Sequence, residues 1–134
     1  MAAVLAMISV LILPKSSKDM LTYKLSHKEF RCRCGRPTCH YTIIADSLRT
    51  SFAVVRTHFE LPLIVNSGYR CQGHNHDVGG SPTSSHTTGH AIDISTKGLA
   101  EDDEIYLISL LKFYFDFVKV YPNFVHAHNH ASKP

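Results

Sequence analysis

Ser84, His86, Gly89, Ala91 and Asp93 stand in the spacing S-x-H-x-x-G-x-A-x-D, and two of these residues can hold a divalent cation. An imidazole nitrogen and a carboxylate oxygen are ordinary zinc donors at about 2.0 to 2.2 Å. A His on a loop and an Asp on the next strand reach one ion only if the chain turns sharply between them. Gly89 allows that turn, because glycine accepts backbone angles that other residues avoid. Ala91 is small and shares a strand face with Asp93, which leaves room for an ion and its water. Two donors do not complete a site. His126, His128 and His130 offer a third from a C-terminal strand, where a period of two points all three the same way.

A second group of donors is sulfur. Cys32, Cys34 and Cys39 form C-x-C-x4-C, and Cys71 follows directly after Arg70. In an oxidising compartment four cysteines can form two disulfides. In a reducing one they can give four thiolates to a structural zinc or stay as buried thiols. Either crosslink would tie the N-terminal segment to the Arg70 loop. No thiol stands out with a base of its own, so a catalytic cysteine is not expected.

The elements that must position these residues are written in the apolar spacing. Ile44, Leu48, Phe52, Val55 and Phe59 recur at steps of three and four, which predicts an amphipathic helix over 41–59 ended by Pro62. Leu63-Ile64-Val65 reads as a short buried strand broken by Asn66-Ser67-Gly68, with a polar loop over 69–89. His90 to Ser95 alternates, with Ile92 and Ile94 on the core face and Asp93 held outward. Glu101 to Glu104 predict a helix N-terminus, where carboxylates face the positive end of the dipole, rather than a cation site. Phe117–Tyr121 and Phe124–His128 read as strands split by Pro122-Asn123. Strands carrying the site with helices outside them make an α+β sandwich.

The chain has 134 residues, the size of one domain. Its net charge of +3 is spread over single Lys and Arg residues, with no basic run among stacking aromatics, so a nucleic-acid partner is not expected. Ten histidines are the unusual count and agree with a metal. Met1 to Leu13 is almost wholly apolar and stops at Pro14, short of the roughly 20 residues needed to span a bilayer. It resembles the apolar part of an export signal, without a positive n-region or a clear small-x-small cleavage site. The division expected is therefore a leader-like extension over 1–19 and a domain over 20–134, with no stable membrane span and the compartment left open.

Five pieces in order carry a family resemblance: E-F-x-C-x-C-G at Glu29 to Gly35, L-P-L-I-V-N-S-G-Y-R-C at Leu61 to Cys71, H-N-x-x-V-G-G at His74 to Gly80, S-x-H-x-x-G-x-A-x-D-I at Ser84 to Ile94, and Y-P-x-F-V-H at Tyr121 to His126. Together they resemble the zinc D-Ala-D-Ala carboxypeptidases and peptidoglycan endopeptidases, of the peptidase M15 type, whose metal-site fold is shared with the hedgehog signalling domain. The resemblance implies a small antiparallel sheet that carries zinc, with helices on its other face. It implies zinc held by His86, Asp93 and His126, a substrate carboxylate clamped by Arg70, and Ser84 bonding near the scissile carbonyl. It further implies peptidoglycan peptides as substrate and a monomer working on the cell wall, either exported to the periplasm or cytoplasmic until lysis, as for a phage lysis factor.

One departure matters. Family members place a carboxylate three residues before the third ligand or two after it, and here those positions hold Asn123 and His128. Asparagine cannot take a proton from water, whereas an imidazole can. His128 is expected to be the base or a transition-state stabiliser, and the rival reading makes it a zinc ligand after a two-residue shift. The missing carboxylate also admits a different class of function, a catalytically impaired, zinc-stabilised module that only binds peptidoglycan.

Overall fold

Leu48, Phe52, Val55 and Phe59 line one side of helix α1 (Asp46–Phe59), and all four are buried. The computed structural model describes residues 25–131, so the apolar run 1–13 and the boundary at residue 20 lie outside the described residues. α1 starts at Asp46 rather than at Tyr41. Ala45 is extended and its N–H donates to the Gly89 carbonyl at 2.9 Å, which ties the preceding segment to the loop after His86. The helix ends because Glu60 turns left-handed at φ 67°, with Pro62 only beyond it.

Four strands, β1 (Val65–Ser67), β2 (Ala91–Ser95), β3 (Phe117–Val120) and β4 (Phe124–His128), pair antiparallel in the order β1-β2-β4-β3. The first differs from expectation: it begins at Val65, and Asn66 and Ser67 continue it. Ser67 pairs with Asp93, and the register is irregular between Val65 and Ser67. The segment 69–89 is not a bare loop either. It contains a short helix α2 (Gln72–Asp77) and a 3-10 turn at Ser85–Thr88. Cys71 caps α2, its thiol accepting the His74 N–H at 3.4 Å. Cysteine is outside the usual set of capping residues, so the local sequence does not announce that helix.

Period two divides the sheet. Ile92, Ile94, Val125 and Ala127 face the core with α1 and with Leu107, Leu110 and Leu111 of helix α3 (Glu101–Tyr114). Asp93 and His126 alternate with these residues and face the other way. The four acids Glu101 to Glu104 form the first turn of α3, as expected. Ala100 gives no side-chain cap there, and the four carboxylates sit at the positive end of the helix dipole. Among the described residues no helix is long and apolar enough to cross a membrane.

His58, near the end of α1, is a polar residue in this core. It stacks on Tyr114 with ring centroids 6.1 Å apart, and neither ring nitrogen finds a partner among the described residues. Burial is the larger influence on it and lowers its pKa, against a smaller upward pull from Glu60. A depressed imidazole favours the folded state above its ordinary value of 6.5 and loses that contribution as pH falls toward the folded value. His58→Phe keeps the stacking and removes two unsatisfied nitrogens, so we expect stabilisation of about 1 kcal/mol. The gain in thermal midpoint should be larger at about pH 5.5 than at about pH 8, since only the wild type pays for proton uptake on unfolding. A midpoint difference independent of pH would count against this account.

Candidate metal centre

Sheet register places two of the three oxygen and nitrogen donors. Asp93 on β2 and His126 on β4 are direct cross-strand partners, the arrangement that brings side chains on one face closest. His126 Nδ1 lies 2.9 Å from Asp93 Oδ1. The third donor comes from the 3-10 turn. Ser84 Oγ accepts the His86 N–H at 3.3 Å, Gly89 closes the turn at φ 77°, and the His86 ring is buried with Nε2 at 3.2 Å from Asp93 Oδ1. Donor atoms of His86, Asp93 and His126 all fall within 4.8 Å of one another.

Hydrogen bonding shows that the set fits a cation. His86 Nδ1 lies 2.7 Å from the Gly68 carbonyl, which can only accept, so Nδ1 carries the proton and Nε2 presents its lone pair. That lone pair faces an anionic carboxylate, and two acceptors this close need a proton or a metal ion between them. Burial alone would push the Asp93 carboxyl up. With the two rings protonated toward it, the hydrogen bonds and charge from His126 and His86 outweigh burial and hold the group down at about 2, and an ion in place of those protons would pull the same way. Asp93 is therefore an anion over the whole physiological range. Two imidazoles and one carboxylate leave a divalent ion with net positive charge, the condition for acidifying a bound water.

Gly68 is itself fixed by space. A Cβ there would fall 2.7 Å from Phe30 Cα, and Tyr69 N–H donates to the Phe30 carbonyl at 2.8 Å, so no larger residue holds that carbonyl in place. Gly89 is constrained twice, by its positive φ and by Ile43, whose carbonyl oxygen would lie 2.4 Å from an added Cβ. Gly89→Ala should cost about 2 kcal/mol or more and loosen metal retention along with it. Thermal unfolding with and without zinc measures both, and an unchanged midpoint would contradict the clash.

The remaining expected residues are distributed around this centre. His128 shares the face of His126, with Nδ1 at 2.8 Å from His126 Nε2, so it touches the side of the ring turned away from Asp93. It pairs across the sheet with the small Ala91 on one side and with Phe117 on the other, stacking on the Phe117 ring at 4.7 Å. Burial, followed by the charges of His126, His130 and His86, lowers its pKa against a weaker upward effect of Asp116. His130 stays beside His128, their ring centroids 6.0 Å apart, but it is not among the three donors that converge. It lies past the end of β4, exposed, with its N–H donating to Asp116 at 2.9 Å.

Arg70 is tied to the metal turn by its N–H, which donates to the His86 carbonyl at 3.1 Å. Its buried Nε has no partner among the described residues. A groove of about 590 Å³ opens over the centre, lined by Arg70, Ser84, His86, Asp93, His126 and His128, with Phe117, Lys119, Tyr121 and Phe124 also on its wall. Arg31, Arg33 and His74 flank Arg70 in an adjoining cavity. The four cysteines also come together, with all sulfurs within 4.8 Å of one another and no disulfide among the described residues.

Several contributors were not visible in the sequence. The Gly68 carbonyl is a backbone group, and the only signal for it is the N-S-G-Y-R run. Asn129 is buried at the end of β4, where its amide donates to Ser47 and Ser51 and accepts the Asp116 N–H, fastening the His-bearing strand to α1. Its position one residue after His128 gives no local hint of that task.

A small α+β domain in which two imidazoles and a carboxylate converge on the open face of the sheet has a three-donor group that could hold a divalent ion. The peptidase M15 family matches residues 23–128, and the chain belongs to that family. Its peptidases are metal-dependent, in agreement with the donor set. No curated protein and no solved structure matches the chain.

Proposed function

We propose that the protein is a zinc peptidase of hedgehog-type fold that cleaves peptide bonds in the stem or crosslink peptides of bacterial peptidoglycan. The observation that carries this reading is the convergence of His86 Nε2, Asp93 Oδ1 and His126 Nδ1, with the Gly68 carbonyl fixing the His86 tautomer. Zinc bound there supplies an acidified water and polarises the scissile carbonyl. Arg70 receives a carboxylate of the peptide, for which its unpartnered Nε and its place in the groove are the support. Its planar fork suits that anion better than an ammonium would. Ser84 holds the peptide beside the scissile carbonyl from the lip of the metal turn. His128, in the place of the usual carboxylate, is the base or the stabiliser of the transition state; as a base it must first give up the hydrogen bond from His126 Nε2, so that its own ring has a nitrogen free to accept the proton.

The test is to incubate zinc-loaded and chelator-treated protein with purified peptidoglycan fragments and to look for new amino and carboxyl termini. Zinc-dependent termini support the proposal. Retained zinc with wall binding and no cleavage would replace it with a binding module, the reading favoured by Asn123 where a base is usual. Arg70 separates the two peptidase types. Loss of a charge-assisted hydrogen bond costs about 1.5–3 kcal/mol, so Arg70→Ala should raise KM roughly 10- to 100-fold on peptides with a free terminal carboxylate. Amidated peptides should be affected much less. Equal losses on both would remove the clamp from the mechanism.

A further inference from the structure

Residues 31–45 run from the 3-10 turn at His27–Phe30 to α1 without regular secondary structure. Excursions of this length inside a compact domain are uncommon unless something fastens them. The sulfurs of Cys32, Cys34 and Cys39 lie on this segment, and Cys71, which caps α2, meets them from across the chain.

The pattern of distances bears on what joins them. Disulfides need sulfurs to approach in pairs, whereas here every sulfur lies within 4.8 Å of every other, around a common centre. Cys32 Sγ and Cys71 Sγ are 3.7 Å apart. A tetrahedral zinc with Zn–S of about 2.3 Å requires an S···S edge of about 3.8 Å, while a disulfide requires about 2.05 Å. The sulfurs are also surrounded by donors. The N–H of Cys71 points to Cys32 Sγ at 3.4 Å, that of Arg36 to Cys34 Sγ at 3.3 Å, and that of His74 to Cys71 Sγ at 3.4 Å. The Arg36 guanidinium adds a contact of 3.5 Å to Cys71 Sγ. Four thiolates around a divalent ion carry a net charge of −2, and these amides with one guanidinium supply the outer hydrogen bonding such a centre needs.

We propose that Cys32, Cys34, Cys39 and Cys71 hold a second zinc ion in a closed tetrathiolate shell, and that it fastens the 31–45 segment to the strand-to-helix corner bearing Arg70. Zinc binding displaces the thiol protons to solvent and leaves no position for water, so this centre is structural. It stands apart from the peptidase reading, because none of its ligands belongs to the His86, Asp93 and His126 set.

The experiment counts metal in full-length protein purified under reducing conditions and then loads it with Co2+ as a spectroscopic probe. The wild type should carry two zinc equivalents per chain and His86→Ala one. The Co2+ form of His86→Ala should keep the intense thiolate-to-metal charge-transfer absorption, which imidazole and carboxylate ligands do not give. Cys39→Ser should lose that absorption and drop from two equivalents to one. Should Cys39→Ser fail to fold, the His86→Ala protein still decides the matter. A wild type with disulfides by intact mass, or with four freely titrating thiols and no thiolate band, would overturn the proposal.

Discussion

Asp93→Ala should lose one zinc equivalent and lower hydrolysis roughly 10³-fold or more, the equivalent of several kcal/mol of transition-state stabilisation. Asp93 is the only anion among the three donors and contacts both imidazoles through one oxygen, at 3.2 Å to His86 and 2.9 Å to His126. Without it two neutral rings remain, a weaker pair for a divalent ion. Asp93→Asn is the sharper comparison, since it keeps shape and an acceptor oxygen but removes the charge. Both variants should keep the fold, because Ile92 and Ile94 on the opposite face carry the packing of β2. Metal analysis beside initial rates on a D-Ala-terminated peptide checks the expectation. Full activity with a missing zinc equivalent would show that the ion is not the catalyst.

His128→Ala should lower kcat by about 10²- to 10⁴-fold, the range for a positioned proton-transfer group, while zinc stays bound. The contact between His128 Nδ1 and His126 Nε2 makes a second role available, in which His128 merely orients the ligand ring. An outer partner of that kind is worth about 10- to 100-fold and acts on metal affinity as well as rate. His128→Gln separates the two, because an amide can hold His126 but cannot shuttle a proton. His128→Asp restores a carboxylate two residues after the ligand and should recover much of the activity. Loss of the ion in His128→Ala would make His128 a ligand, and unchanged kcat would leave it without a catalytic part.

The sequence was most informative where side-chain periodicity and chemistry coincide. β2 and β4 were legible because Ile92, Ile94 and Val125 alternate with Asp93 and His126. The acidic first turn of α3 was legible because the dipole gives four adjacent carboxylates a reason. α2 was hidden by its short length and its cysteine cap, and β1 was displaced because Asn66 and Ser67 look like a strand breaker while pairing decides otherwise. His130 falls past the end of β4 yet keeps its ring 6.0 Å from that of His128, outside the three-donor group. For the site itself, donor types were readable from the residues, while the convergence of His86, Asp93 and His126 was implied by the family resemblance and not by spacing. Asp93 and His126 meet only through the pairing of β2 with β4, and Cys71 reaches the other cysteines only through the fold.

The cross-strand pairing of Asp93 with His126 would make an ion held there a proofreader of strand alignment. Slipping β4 by one residue would bring Val125 or Ala127 opposite Asp93 and turn His126 into the hydrophobic interior. Neither neighbour can bind a cation, so the binding energy of an ion would accrue to one alignment alone, and loading it would select the native sheet from its near misses. Chemistry and fold fidelity thus share the same two side chains.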